Sequence, residues 1–332
     1  MKISKKAIQI PRLISGGLIT NYYCTSTCRH CLYGCSPRWE KKYVLKSTAT
    51  RMLEIISGMG CRSIHIGGGE PFLNAAGLID VLDAATAVGV GVDYVETNSS
   101  WYTNHHDTVA LLREMRRSGL GRLLISISPF HNEYIPFYKV KGVMAACRDA
   151  GIDVFPWVAE FFPEIDSFDD RRSHRLEEYE RAFGSDYLER IPSRYWIHFG
   201  GRALGTFSSS MPVYSPEDIC SRNAIGCGEL CDTSHFHADL FGNYIPGLCS
   251  GLAIRMEDLP TPVSRTGYPI LNLLYTEGIA GLYAMAKKKY EFAPQDSYLN
   301  KCHLCLDIRR HMVIDRGVES VELQPTEFYK NV

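Results

Sequence analysis

The sequence lacks several features that mark common classes of protein. No charge of one sign dominates, since 36 Lys and Arg stand against 37 Asp and Glu. That balance offers no field to recruit nucleic acid or an anionic membrane, so neither is expected as a partner. No apolar run is long enough to span a bilayer. The most apolar late stretch, ILNLLYTEGIAGLYAMA (270–286), is short and interrupted by Glu277. The basic start, MKISKKAIQIPRL, has no long apolar run behind it, so no signal peptide is expected and the chain reads as cytoplasmic. Internal repeats and low-complexity tracts are also missing, so nothing points to a repeat architecture.

Cysteine is plentiful, with 12 in 332 residues. In a reducing compartment such a number points to metal ligands rather than a disulfide framework. The cysteines are clustered. Cys24, Cys28, Cys31 and Cys35 share the stretch YYCTSTCRHCLYGCS, and Cys220, Cys227, Cys231, Cys249, Cys302 and Cys305 fall in the last third. Cys61 and Cys147 stand alone in apolar surroundings and read as packing residues.

The length suits one large α/β domain plus a smaller one. An apolar fraction of 45% can fill the core. Residues 14–205 repeat one theme. Strands are expected at 13–23, 62–68, 91–98, 122–128, 152–161 and 194–200. Helices are expected at 47–60, 74–89, 106–119, 139–151 and 169–184. Six alternating units make a parallel sheet with right-handed crossovers, too few to close an eight-unit barrel, so a partial (β/α)6 barrel is expected. Sites in such folds collect at the carboxyl ends of the strands. After about residue 205 the rhythm stops at FSSSMPVYSPEDICSRN, which reads as a linker. The expected domains are therefore 1–205 and 206–332. The second holds a hairpin over 234–249, a helix near 270–291 and a short helix from Cys305 onward.

Cys24, Cys28 and Cys31 are spaced C-x3-C-x2-C. Chance gives about 0.01–0.02 such matches in a chain of this composition, so the spacing calls for a cause. A structural zinc wants four ligands in a closed tetrahedron. Three thiolates in one loop suit a [4Fe–4S] cube with one iron left open. The GGGEP turn (67–71) after the second expected strand can be an ordinary tight turn, or a place where backbone approaches a ligand.

C-x3-C-x2-C after the first strand, followed by GGGEP after the second, resembles the radical S-adenosylmethionine (radical SAM) superfamily over roughly residues 14–205. In that family three cysteines hold a [4Fe–4S] cluster, SAM chelates the open iron, and reductive cleavage yields a 5′-deoxyadenosyl radical that abstracts a substrate hydrogen atom. The resemblance assigns the cluster to Cys24, Cys28 and Cys31. It places His30 near the adenine and Gly67, Gly68 and Gly69 at the methionyl amine, with Glu70 nearby. Asn98, Ser99, Ser126 and Ser128 become contacts to SAM, with turn capping as the plainer reading of each. Arg202, in GGRA, matches a recurrent GRA after the last barrel strand, with a surface salt bridge as its plainer reading. Cys35 would block SAM as a fourth ligand. It reads as a loop thiol or as a thiol facing the active site, and is the one candidate catalytic residue.

Cys231 and Cys249 flank a hairpin, and Cys302 and Cys305 form CHLC. Zinc can fill such a four-thiolate site. The arrangement also resembles the twitch domain, a shortened SPASM domain that holds an auxiliary [4Fe–4S] cluster. The interval from Gly242 to Cys249 is two residues longer than usual, and Cys227 fits as first ligand as well as Cys231. With six cysteines here instead of the seven of a full SPASM domain, one auxiliary cluster is expected.

The resemblance implies a cytoplasmic enzyme that takes electrons from a donor such as flavodoxin or ferredoxin and acts on a peptide or a small molecule. A peptide is expected, since Tyr134, Phe137, Tyr138, Phe155 and Trp157 offer aromatic surface near strands four and five. Little chain precedes residue 14 to carry a fused peptide-recognition domain, which weakens that expectation. The alternatives are oxidation of a small alcohol or sugar and, in another class, a non-catalytic iron–sulfur electron carrier.

Overall fold

A computed structural model describes residues 7–332. The basic start at residues 1–6 lies outside the described residues. Eight strands form one sheet in the order β5-β4-β3-β2-β1-β6-β7-β8. They are β1 (Gly16–Ile19), β2 (Ser63–Gly67), β3 (Gly91–Thr97), β4 (Arg122–Ser126), β5 (Asp153–Trp157), β6 (Phe236–Asp239), β7 (Asn243–Ile245) and β8 (Ile254–Arg255). β1 to β5 are parallel neighbours. β6 joins the far side of β1, also parallel, and β7 and β8 follow antiparallel. The fold is the expected mixed α/β class with a mostly parallel, partial-barrel sheet.

The crossovers are helices α1 (Lys46–Gly58), α2 (Ala75–Val88), α3 (His105–Arg117) and, from β4 to β5, Phe137–Ala150. Their ends follow from local chemistry. Asn74 and Asn104 accept the N–H of Gly77 and Asp107, and Gly89 and Gly151 close α2 and the Phe137–Ala150 helix in left-handed conformations. The helices bury one face against the sheet, as α1 does with Met52, Leu53 and Ile56. The stretch Pro71–Val88, which contains α2, is long and apolar enough to cross a membrane by composition alone, but Leu78, Val81 and Leu82 are spent on the core. Cys61 and Cys147 are fully buried packing residues, as expected.

Three expected elements differ. Residues 194–200 form no strand. The helix Tyr187–Arg194 reaches into that span, and irregular chain follows. The alternation in YWI is real, since Tyr195 and Ile197 are buried while Trp196 is 63% exposed. Alternation reports burial of every second side chain, not pairing, and β5 remains the edge of the sheet. The sixth parallel strand is supplied instead by β6, on the far side of β1. The helix expected over 169–184 is confined to Leu176–Phe183, where Glu178 accepts the N–H of Arg175. The last helix begins at Lys301, not Cys305, because Asn300 caps it by accepting the N–H groups of Cys302 and His303. Cys302 and Cys305 therefore share a helical face, one turn apart.

Candidate functional site

The loop after β1 brings four thiols together at the carboxyl end of the sheet. Cys24, Cys28 and Cys35 are buried and Cys31 is half-buried. Burial pushes the Cys24 thiol up to about 12 and Cys28 well above its ordinary range. Cys31 goes the other way, down to about 5, because the Cys35 thiol hydrogen-bonds to it, and Cys35 rises correspondingly. Cys35 is thus no detached loop thiol but faces the trio. Buried thiols with raised pKa values ionise when a metal takes the proton's place. The Cys24 sulfur also accepts from the Ser26 backbone at 3.4 Å and from Asn98 Nδ2 at 3.4 Å.

Arg202 fixes the loop from outside. It donates to the carbonyls of Cys28 (2.9 Å), Cys35 (2.7 Å) and Asn331 (3.1 Å), while its backbone N–H reaches Cys31 (3.1 Å). A surface salt bridge does not describe this residue, since its guanidinium donates to three backbone carbonyls. Glycines 68 and 69 have a similar role. A Cβ on either would collide with Asn21 or Tyr23, because the turn docks on the entry to the cysteine loop through Gly69 N–H to Asn21 O at 2.7 Å. Gly67 lacks the Cβ that would press on Glu96. Glu70 is fully buried. It accepts from Asn98 N (2.7 Å), Phe72 N (3.1 Å) and Thr97 Oγ1 (3.0 Å), and burial still pushes its carboxyl up to about 7. Its side chain ties the turn to the end of β3.

The remaining rim residues divide. Ser128 caps the turn of helix Pro129–Asn132 and bonds His131 Nδ1 at 2.7 Å, so capping accounts for it. Ser126 lies half-buried at the end of β4, opposite Trp157 in the ladder. His30 stacks on Phe130, with ring centroids 5.0 Å apart, and meets Tyr195 Oη through Nε2 at 3.0 Å. Its Nδ1 is buried without a partner, as are the hydroxyls of Ser26, Ser99 and Ser100. Ser99 holds a left-handed backbone, φ 67°. Buried polar atoms are rarely left unpaired. These four lie in the cysteine loop or just after β3.

The C-terminal thiols gather elsewhere. A cavity of about 560 Å³ is lined by Cys227, Cys249, Cys302 and Cys305, with Glu229, Lys301 and Arg309. Of the two candidates for the first position, Cys227 lines this cavity and Cys231 does not. Cys227 enters because its N–H bonds the Leu274 carbonyl at 2.8 Å, which anchors it to the helix Pro269–Tyr290. Burial and the three neighbouring thiols raise the Cys249 pKa, and Lys301 pairs with Glu229 at the cavity wall.

Residues 18–159 match the sequence model of the Radical SAM superfamily. That stretch reads as a radical SAM domain. No curated protein sequence matches it. Among solved structures, the chain resembles anSMEcpe with bound AdoMet at 11% identity, covering 90% of this chain and 97% of that one, with a TM-score of 0.46. It resembles BtrN in complex with AdoMet and 2-DOIA at 12% identity, covering 82% and 90%, with a TM-score of 0.44. HydG, a maturase of the [FeFe]-hydrogenase, matches at 21% identity with a TM-score of 0.33 over 43% of this chain. This chain spans only 34% of that one.

The concave face of the sheet carries residues that the sequence alone did not single out. His65, Tyr94 and Glu96 point there from β2 and β3, while Ile64, Ile66 and Val95 point into the core behind. The Glu96 side chain is 41% exposed and lies 3.9 Å from His65 Nε2. Tyr33, from the cysteine loop, meets His237 Nδ1 at 2.7 Å. The sequence did hold a signal: the isolated polar residue in SIHIG and the alternating histidines of SHFHAD.

Proposed function

We propose that this chain is an enzyme that removes a hydrogen atom from a ribosomally made peptide, using a cluster on Cys24, Cys28 and Cys31. The observation that carries the reading is the meeting of those three thiols with the unpartnered His30 Nδ1 and Ser99 hydroxyl. When bound there, a reduced [4Fe–4S] cluster and SAM supply the 5′-deoxyadenosyl radical that the abstraction needs. Asn98 Nδ2 and the Ser26 N–H stabilise charge on the Cys24 sulfur. Arg202 fixes the loop carbonyls, so the three sulfurs are held before any ligand arrives. His30 offers its stacked ring and free Nδ1 to the adenine, and Ser99 offers a hydroxyl to the rest of the nucleoside. We place Asn98 beside the cluster, Gly67, Gly68, Gly69 and Glu70 as the frame of the rim, and Ser126 toward the substrate.

A second cluster on Cys227, Cys249, Cys302 and Cys305 forms part of the reading, and residues 206–332 serve as its domain, twitch-like in kind. One zinc ion with four sulfur bonds of about 2.3 Å needs sulfurs about 3.8 Å apart. Among the described residues, the one set of three donor groups found converging within 4.8 Å contains no cysteine. Thiols spread more widely suit a cube. A donor such as flavodoxin or ferredoxin supplies the electron. All twelve cysteines are free thiols, in keeping with a cytoplasmic setting.

The peptide assignment draws on the open edge at β5. Among the described residues no sixth strand pairs with it, Phe155 is 44% exposed and Trp157 is half-buried on the concave face. An extended chain can lie along such an edge. Phe137 drops out of the aromatic set, since it is buried in the core. A second reading, oxidation of a small alcohol or sugar, is favoured by Glu96, an accessible carboxylate able to take a hydroxyl proton. Anaerobic incubation with reductant, SAM and a short peptide encoded nearby separates the two. Under the peptide reading, 5′-deoxyadenosine rises above the uncoupled background. Stimulation by an alcohol instead, with a stoichiometric ketone, overturns it.

A further inference from the structure

Three histidines outside both cysteine groups meet on the concave face. His65 lies in β2, His235 just before β6 and His237 within β6. Two positions apart on an extended chain, His235 and His237 project to the same side, while Phe236 between them is fully buried behind the sheet. One ligand atom from each of the three falls within 4.8 Å of the others. His65 Nε2 and His237 Nε2 are 2.9 Å apart, and His235 stacks on His65 with ring centroids at 5.2 Å.

β2 and β6 are not neighbours, because β1 runs between them. The ladder pairs Gly17 of β1 with His65 on one side and with His237 on the other. A side chain at Gly17 would stand between the two imidazoles, and a Cβ there collides with the His65 ring. Glycine inside a strand weakens it and marks a close approach. Here the close approach is that of two ring nitrogens across an intervening strand.

We propose that His65, His235 and His237 bind a divalent transition-metal ion on the concave face, with a coordination position left open toward the substrate. Imidazole suits zinc, iron and nickel. A tetrahedral centre with bonds of about 2.0–2.1 Å sets its nitrogens about 3.3 Å apart. The His65–His237 pair is near that spacing, and His235, half-buried, needs only a side-chain adjustment to reach it. Tyr33 completes the arrangement from behind. Its oxygen lies 2.7 Å from His237 Nδ1, and in the tautomer in which Nδ1–H donates to that oxygen the Nε2 lone pair is left for the ion. Glu96, 3.9 Å from His65 Nε2, borders the open position and can accept a proton from water or a substrate hydroxyl bound there. Three histidines with one open position form a ligand set found at catalytic zinc centres. The site shares no ligand with either cysteine group, so it stands or falls apart from the radical chemistry.

The test uses the anaerobically reconstituted protein with its iron in place. One equivalent of Zn²⁺ is added, loosely held metal is removed by gel filtration, and zinc and iron are counted. Zinc X-ray absorption then reads the ligand shell. The expected result is about one zinc per chain in a nitrogen/oxygen shell at about 2.0–2.1 Å. His235→Ala should lose that zinc and keep its iron. Gly17→Ala, which drives a methyl group against His65, should do the same. The half-buried position of His235 makes its truncation the safer variant for folding, and unchanged iron content reports that the fold survives. No zinc retained by the parent overturns the proposal. So does a sulfur shell near 2.3 Å, or zinc held at the parent stoichiometry by a His235→Ala, His237→Gln double variant.

Discussion

The two cysteine groups are built by opposite means. Cys24, Cys28, Cys31 and Cys35 come from a single loop of twelve residues, and their meeting is largely a local matter once Arg202 clamps the loop carbonyls. Cys227, Cys249, Cys302 and Cys305 come from three separate segments and meet only because the hairpin, the capped Lys301–Arg310 helix and the Pro269–Tyr290 helix pack together. The first group is surrounded by unpaired polar atoms, as a cofactor-binding rim would be. The second is closed in by Lys301, Glu229 and Arg309. In our reading the first leaves an iron open and the second does not. The difference teaches that close spacing in sequence announces a site, whereas a site gathered from distant segments must be read from the packing.

The sharpest way to break this comparison is to empty the first group. Replacing Cys24, Cys28 and Cys31 with Ala should abolish 5′-deoxyadenosine formation and lower bound iron from about eight to about four per chain. Product formation at the parent rate by that variant would sink the assignment. Cys35→Ala should keep the full iron count, since its thiol faces Cys31 without being needed as a ligand.

The second group is sharpened by a pair of single changes. Cys227→Ala should lose about four irons, while Cys231→Ala should keep them. The opposite result would restore Cys231 as first ligand, and elemental analysis with Mössbauer spectroscopy reads the outcome directly.

Arg202→Met tests whether the first loop is held from outside. It leaves three carbonyls without their donor, so a loss of about 1–3 kcal/mol in unfolding free energy is expected. Cluster retention should suffer at the N-terminal group and not at the other. An unchanged denaturation midpoint would show that the loop holds itself.

The smallest effect concerns the scaffold of the second group. Glu322 is buried and accepts the N–H groups of Ile270 (2.8 Å) and Leu271 (2.7 Å) at the start of the helix that anchors Cys227. Burial raises its carboxyl from 4.5 to about 7. The folded state therefore holds a proton that the unfolded chain has released between those values. Stability should fall as pH rises through that window. Glu322→Gln should flatten this slope, as measured by denaturant midpoints from about pH 5 to about pH 7.5. Parallel slopes for parent and variant would show that Glu322 does not govern it.

The βα rhythm was legible from the chain because helix periodicity and capping are local. Asn74, Asn104, Gly89 and Gly151 close their helices where the sequence places them. The span 194–200 misled because Tyr195 and Ile197 bury alternate side chains without a neighbouring strand to pair with. Alternation and pairing are different facts, and only the second makes a strand.

By itself the sequence determined the C-x3-C-x2-C loop, the GGGEP turn, the α/β class and the presence of a second cysteine region, because each rests on residues close together in the chain. Tertiary structure alone decided that β6 lies beside β1, that Cys227 and not Cys231 lines the cavity, that Arg202 grips the cysteine loop, and that His65 meets His237 across Gly17. The physical reason is one of distance. Those contacts join residues far apart in sequence, and their geometry exists only once the sheet has set the order of its strands.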